Sequence, residues 1–272
     1  MNRLTLSLLI LATFFLASFL ASAREIRLPA EGALAGNVVI AEWFYKTEHV
    51  KGKDVTTPRT FQLWPQKNGA KASDWLDGRI EAQPGDVIVL SPGSYSAQLW
   101  VFTPGVTITT DPSSQDRAAI QGTLEVDADR VTIDRIAVVG PHTVGTSPGG
   151  HGIELNRTFL DWVTIRNCRI AGNPWTGIHI VGDEGEMVEI RVESCEIAEN
   201  GTDGMDCRFA ARLVLTGCTI TGNGTSNDAG VGLRLERGIG QVTLEKTTIS
   251  GNRNGDVCTS DPAKWPWASR CP

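Results

Sequence analysis

Four short segments of this chain place ionisable side chains at the same step of a recurring pattern: Gly152-Ile-Glu-Leu, Gly177-Ile-His-Ile, Gly204-Met-Asp-Cys and Gly232-Leu-Arg-Leu. If each is a short strand, alternate residues point to opposite sides, and Ile153, Ile178, Met205 and Leu233 face a core. Glu154, His179, Asp206 and Arg234 then form an outward column, with about 4.8 Å between rungs if the strands stack. The next outward positions add Asn156 and Arg208, and His151 lies just before the first of these strands. An imidazole beside carboxylates suits general acid or base work near neutral pH, and the guanidiniums suit an anionic group. Trp175, in the loop Asn173-Pro-Trp-Thr176, places an indole two residues before Gly177. Such a ring packs on a neighbouring coil or stacks on a flat polar ligand. The other explanation of the column is a solvated face of mixed charge, with carboxylates and arginines pairing across rungs.

A second series supplies the elements that must hold this column. Val163-Thr-Ile-Arg-Asn-Cys-Arg-Ile-Ala-Gly-Asn173, Ile190-Arg-Val-Glu-Ser-Cys-Glu-Ile-Ala-Glu-Asn200, Leu213-Val-Leu-Thr-Gly-Cys-Thr-Ile-Thr-Gly-Asn223 and Val242-Thr-Leu-Glu-Lys-Thr-Thr-Ile-Ser-Gly-Asn252 superimpose almost residue for residue. Their closing asparagines are 27, 23 and 29 residues apart, the period of one coil of a strand solenoid. Asn and Gly at the turns tolerate left-handed backbone angles, and strands this short bury a face only by stacking on the next coil. Cys168, Cys195 and Cys218 share one inward slot, where a row of small buried groups is expected, and Cys207 also falls on an inward position.

These repeats resemble the right-handed parallel β-helix superfamily, the fold of pectate lyases. The asparagine turns, the Gly-Ile strand openings, the cysteine column and Gln83-Pro-Gly-Asp-Val-Ile-Val-Leu-Ser-Pro-Gly-Ser-Tyr95, similar to a first coil, carry the resemblance. It implies an all-β, right-handed parallel β-helix with an N-terminal cap and a disulfide-tied C-terminal tail. The expected division is a signal peptide over 1–23, a cap region over 24–75, coils over 76–252 and a tail over 253–272. The cap rests on the aromatic stretch with Trp43, Phe44, Tyr45, Phe61, Trp64 and Trp75, closed by a helical-looking segment from Trp75 to Ala82; Lys46 to Pro58 reads as a polar lid. In the tail, Cys258 and Cys271 flank Trp265-Pro-Trp267 and are expected to pair in an oxidising compartment.

The N-terminus reads as a basic Met1-Asn-Arg, an apolar run and Ala21-Ser-Ala23, which predicts export to the periplasm or medium, with no membrane attachment after cleavage. A formal net charge of −6 argues against nucleic acid as a partner. The resemblance implies an acidic polysaccharide as partner and β-elimination as the activity. On that pattern His179, Asp206, Arg208, Arg234 and Glu154 are the catalytic candidates, and Trp175, Asn156 and His151 the substrate-binding ones. Calcium is the candidate cofactor, with Asp203 and Asp183 as ligands. Two alternatives stay open. One is a noncatalytic carbohydrate-binding or envelope protein. The other is a hydrolase, because Asn200-Gly-Thr-Asp-Gly-Met-Asp206 is similar to a stretch of polygalacturonases, although the next strand, Gly230-Val-Gly-Leu-Arg234, lacks their paired aspartates.

Overall fold

The computed structural model describes residues 23–28, 35–41, 45–50, 53–58, 78–141, 150–155, 162–181, 189–226 and 230–271. Among them every regular element is a strand, and all pairings are parallel except one antiparallel hairpin, Tyr45–Val50 with Lys53–Pro58. One large sheet has 16 strands and a second has 7. The large sheet is two faces of a solenoid, joined where Met205–Thr216 and Leu233–Glu245 run from one face to the other. The smaller sheet, from Gly93–Tyr95 through Arg169–Ala171 to Thr248–Ser250, is the third face.

The inward residues of the three faces stack as rows. Ile108, Ile133, Ile165, Val192 and Leu215 form one row, and Ile153, Ile178, Met205 and Leu233 another, all fully buried. Each such side chain, when taken out of water, contributes about 1.5–3 kcal/mol, so successive coils hold one another. The row ends at Leu244, which is 38% exposed because no further coil covers it. Cys168, Cys195, Cys207 and Cys218 are buried free thiols, as their inward slots require. A hydrogen bond with Cys168, and then burial, push Cys195 well above the ordinary thiol range against an opposing bond with Cys218, and a bond with Cys195, then burial, raises Cys218 likewise. They are packing groups, not nucleophiles.

The asparagines close a second internal column. Asn173 donates from its backbone N and Nδ2 to Oδ1 of Asn200, at 3.1 and 2.8 Å, and Asn200 does the same to Asn223 at 3.1 and 2.9 Å. Asn223 repeats the pattern on Asn252, and each Nδ2 also reaches a backbone carbonyl. Of the turn residues expected to tolerate the left-handed backbone, the asparagines do not adopt it. That conformation belongs to the residue before each, namely Gly172, Glu199, Gly222 and Gly251, and it turns the following amide inward. The ladder also explains the recurring glycine. A Cβ on Gly177 would meet Asn200 Nδ2 and the carbonyl of Gly204, both at 2.7 Å, and one on Gly204 would meet the carbonyl of Gly232 at 2.6 Å.

The ends depart from expectation in two places. The helical reading of Trp75 to Ala82 gives way to a strand over Gly78–Glu81, paired in parallel with Gly36–Ala41. A strand edge built of Val38, Val39 and Ile40 offers this segment backbone partners that four residues of helix do not, and Gly78 fits tightly against Val38. Parallel pairing begins before residue 76, since Glu25–Leu28 pairs with Val87–Leu90 and Gly36–Ala41 with Ala97–Val101. At the far end Val257–Thr259 pairs with Leu233–Glu245, Ser269–Arg270 adds a last rung, and a Cys258–Cys271 disulfide ties the two. The proposed signal segment, apart from Ala23, and Trp43, Phe44, Phe61, Trp64 and Trp75 lie outside the described residues.

Candidate active site

Parallel register places the expected column side by side. Glu154 pairs with His179, His179 with Asp206 and Asp206 with Arg234 on adjacent coils. Alternation turns Ile153, Ile178, Met205 and Leu233 inward, so the charged set faces away from the core. It is not, however, an open face. His179 is 8% exposed, Asp206 6% and His151 7%, which corrects the expectation of solvated side chains. The cover comes from the neighbouring loops. The His151 ring stacks on His179 with centroids 4.1 Å apart, and Trp175 meets His151 edge-on at 5.4 Å while remaining 46% exposed.

His179 lies between two carboxylates, with Nδ1 3.7 Å from Glu154 Oε1 and Nε2 3.5 Å from Asp206 Oδ2. Both distances exceed a hydrogen bond, and neither ring nitrogen has a hydrogen-bond partner; nor does Oδ1 of Asp206. Burial pushes the Asp206 carboxyl above the usual carboxylate range, against the opposing pull of Arg208 and His179 and with help from Asp203. Buried polar atoms left in this state cost stability, on the order of 1–3 kcal/mol each. They are the atoms that a ligand would satisfy.

The arginines divide into two roles. Arg234 donates from Nε to Asp203 Oδ2 at 2.9 Å and from Nη2 to Oδ1 at 3.3 Å, with its side chain mostly covered. Although burial opposes its charge, Asp203 holds this guanidinium above its ordinary value. Arg208, with its side chain 49% exposed, touches Asp206 Oδ2 through Nε and Nη2, both at 3.2 Å, and keeps one side toward solvent. His151, Trp175, Thr176, His179, Thr202, Asp203, Asp206, Arg208, Arg234 and Glu236 enclose a cleft of about 410 Å³. Asp203 also accepts from the backbone N of Val231 at 2.8 Å. Both oxygens of Asp203, an expected calcium ligand, therefore accept hydrogen bonds, and a guanidinium adjoins Asp206. Asp183 and Asn156 lie outside the described residues.

The column also extends to a residue that the strand motif does not signal. Glu125 pairs in register with Glu154, is 3% exposed, and accepts from Trp100 Nε1 at 2.7 Å. Thr123 stands where Gly152 does in the next coil, so the glycine that marks the other strands is absent here.

Residues 151–263 match the family model described as the right handed beta helix region. The chain is a right-handed parallel β-helix. The crystal structure of pectate lyase Pel9A superimposes on this β-helix with a TM-score of 0.44 at 15% sequence identity, covering 65% of this chain and 60% of that one. The β-helix thus spans less than two thirds of that structure. No curated protein sequence matches it.

Proposed function

We propose that this β-helix is an exported protein that cleaves a uronate-containing polysaccharide by β-elimination. The observation that supports the reading is His179: a buried imidazole with neither nitrogen hydrogen-bonded, between two carboxylates and lining a cleft. A base for this reaction must be in place but not tied up, because it has to take the proton from carbon 5 of the uronate. The pair of electrons left behind forms the double bond between carbons 4 and 5, and the bond from carbon 4 to the glycosidic oxygen breaks. The departing oxygen then takes a proton from the Asp206 carboxyl, whose raised affinity for it follows from burial. Arg208, half-exposed at the rim, neutralises the substrate carboxylate and so stabilises the charge that spreads onto it in the transition state. The exposed indole of Trp175 supports a neighbouring sugar ring.

The test is ultraviolet absorbance of the purified protein with pectate, alginate and glycosaminoglycans, with and without calcium, since elimination creates a conjugated unsaturated uronate. A rise that disappears in His179→Ala is the expected result. Silence in the ultraviolet with reducing ends released would replace the lyase by a hydrolase. Silence in both, with polysaccharide retained by the wild type and lost in Trp175→Ala, would leave a binding protein.

A further inference from the structure

His179 has a second relationship that the elimination reading does not use. One ligand atom each from His151, Glu154 and His179 lies within 4.8 Å of the others, and all three residues belong to adjacent coils on one face. The separation between His179 Nδ1 and Glu154 Oε1, 3.7 Å, is too long for a hydrogen bond, whereas a charged pair in direct contact closes to about 2.7–2.9 Å. It does suit two ligands of one ion. Atoms each about 2.1 Å from a zinc-sized cation stand roughly 3.4–3.6 Å apart at angles near tetrahedral or trigonal. A pair at the 4.8 Å limit must close by about 1.2–1.4 Å to reach that spacing, a movement that side-chain rotation has to supply. His151 and His179 stack with an interplanar angle of 24°, so one imidazole must also turn about its Cβ–Cγ bond for both lone pairs to converge.

The remaining features fit the same reading. His179 is more than nine-tenths buried with no hydrogen bond at Nδ1, the nitrogen that faces Glu154. Its Nε2 faces Asp206 Oδ2 at 3.5 Å, and a small closure of that gap gives the histidine–carboxylate hydrogen bond that orients a ligating imidazole from outside the coordination sphere. Two imidazoles and one carboxylate favour zinc and its neighbours over calcium, which takes oxygen ligands. We propose that His151, Glu154 and His179 form a seat for one divalent transition ion of the zinc class, with its open position toward the cleft. An occupied seat engages Nδ1 of His179. Zinc is then an inhibitor of the reaction proposed above, and only this consequence rests on the elimination reading.

The experiment strips the full chain with chelator, dialyses it against zinc, and counts bound metal by mass spectrometry, with affinity read from a competing chromophoric chelator. One zinc per chain is expected, weakened at least 100-fold in His151→Ala and in Glu154→Gln, and about tenfold in Asp206→Asn. Circular dichroism checks that each variant is folded. If the variants fail to fold, the cobalt-loaded wild type decides: bands of nitrogen and oxygen coordination support the seat, and a thiolate charge-transfer band assigns the metal to the cysteines and overturns it. Absence of stoichiometric zinc, or undiminished binding in the folded variants, also overturns the seat. Zinc bound without any elimination activity would sink the function reading alone, and elimination by a protein that takes no zinc would sink the seat alone.

Discussion

Two columns of buried polar side chains climb this solenoid, and they are built on opposite principles. In the asparagine column every amide nitrogen donates to a neighbouring coil, and Asn200, Asn223 and Asn252 also accept from the coil before, so the four lose little by leaving water. In the histidine column His179 and Asp206 are also buried, beside a partly covered Glu154, yet both nitrogens of His179 and one oxygen of Asp206 lack hydrogen bonds. A satisfied buried network fixes structure; an unsatisfied one is held in place by it. The contrast separates residues that make the fold from residues that use it.

Asn200 carries the largest expected effect on the stack. Its replacement by alanine strands the donors of Asn173 and the carbonyl of Ile170, and is expected to cost about 3 kcal/mol, lowering the thermal midpoint by about 6–12 °C. An unshifted melting curve would show that the ladder does not carry the stack. His179→Ala should do the reverse, reducing turnover at least a hundredfold while moving the midpoint by less than about 3 °C, because no protein hydrogen bond is lost with the ring. A large stability loss with turnover intact would make His179 a structural residue.

Two aspartates sharpen the contrast through the sign of their titration. The folded Asp206 has a raised pKa, so its ionised form opposes folding, and stability falls as pH rises from the ordinary carboxylate value through the raised one. Asp206→Asn should therefore raise the midpoint at neutral pH by about 1–3 °C, a gain that fades in acid, while turnover is lost. Loss of the contact with half-exposed Arg208 subtracts little. Melting curves at pH 7 and pH 4 check this, and destabilisation at pH 7 would contradict it. Asp86 should show the opposite and smallest effect. Burial works against its charge, but the backbone N–H of Gln83 and then Arg24 hold its carboxyl below the ordinary range. Its contribution, small because Arg24 is exposed, is present above the ordinary carboxylate value and lost as pH falls through the lowered one. In Asp86→Asn the acid limb of the stability profile should flatten; an unchanged limb would assign acid sensitivity to other groups.

Much of this was legible in the sequence, for a physical reason. Coils that stack must repeat, so the rows headed by Ile153 and Val163, the register from Glu154 to Arg234 and the cysteine slots all appear as a period in the chain. Burial of the site has no such period. It comes from His151 and Trp175, which belong to loops that differ from coil to coil. Glu125 was hidden because Thr123 replaces the marking glycine, and the asparagines were visible as turn residues although their work is internal. The strand at Gly78–Glu81 depends on a partner distant in the chain, Gly36–Ala41, and no local pattern announces it.

The interchangeability of the asparagine rungs bears on ancestry. Asn173 and Asn200 occupy equivalent places 27 residues apart, so excision of residues 174–200 would join Asn173 to Gly201 and pass on to it the bond with Asn223. Such a deletion removes a whole storey and leaves the stairwell aligned. His179 and Trp175 leave with that storey, and Glu154 becomes the neighbour of Asp206. A sibling protein one coil shorter would share this architecture and possess no imidazole between its carboxylates. Gain or loss of this chemistry can therefore be a single in-frame event that the fold scarcely registers.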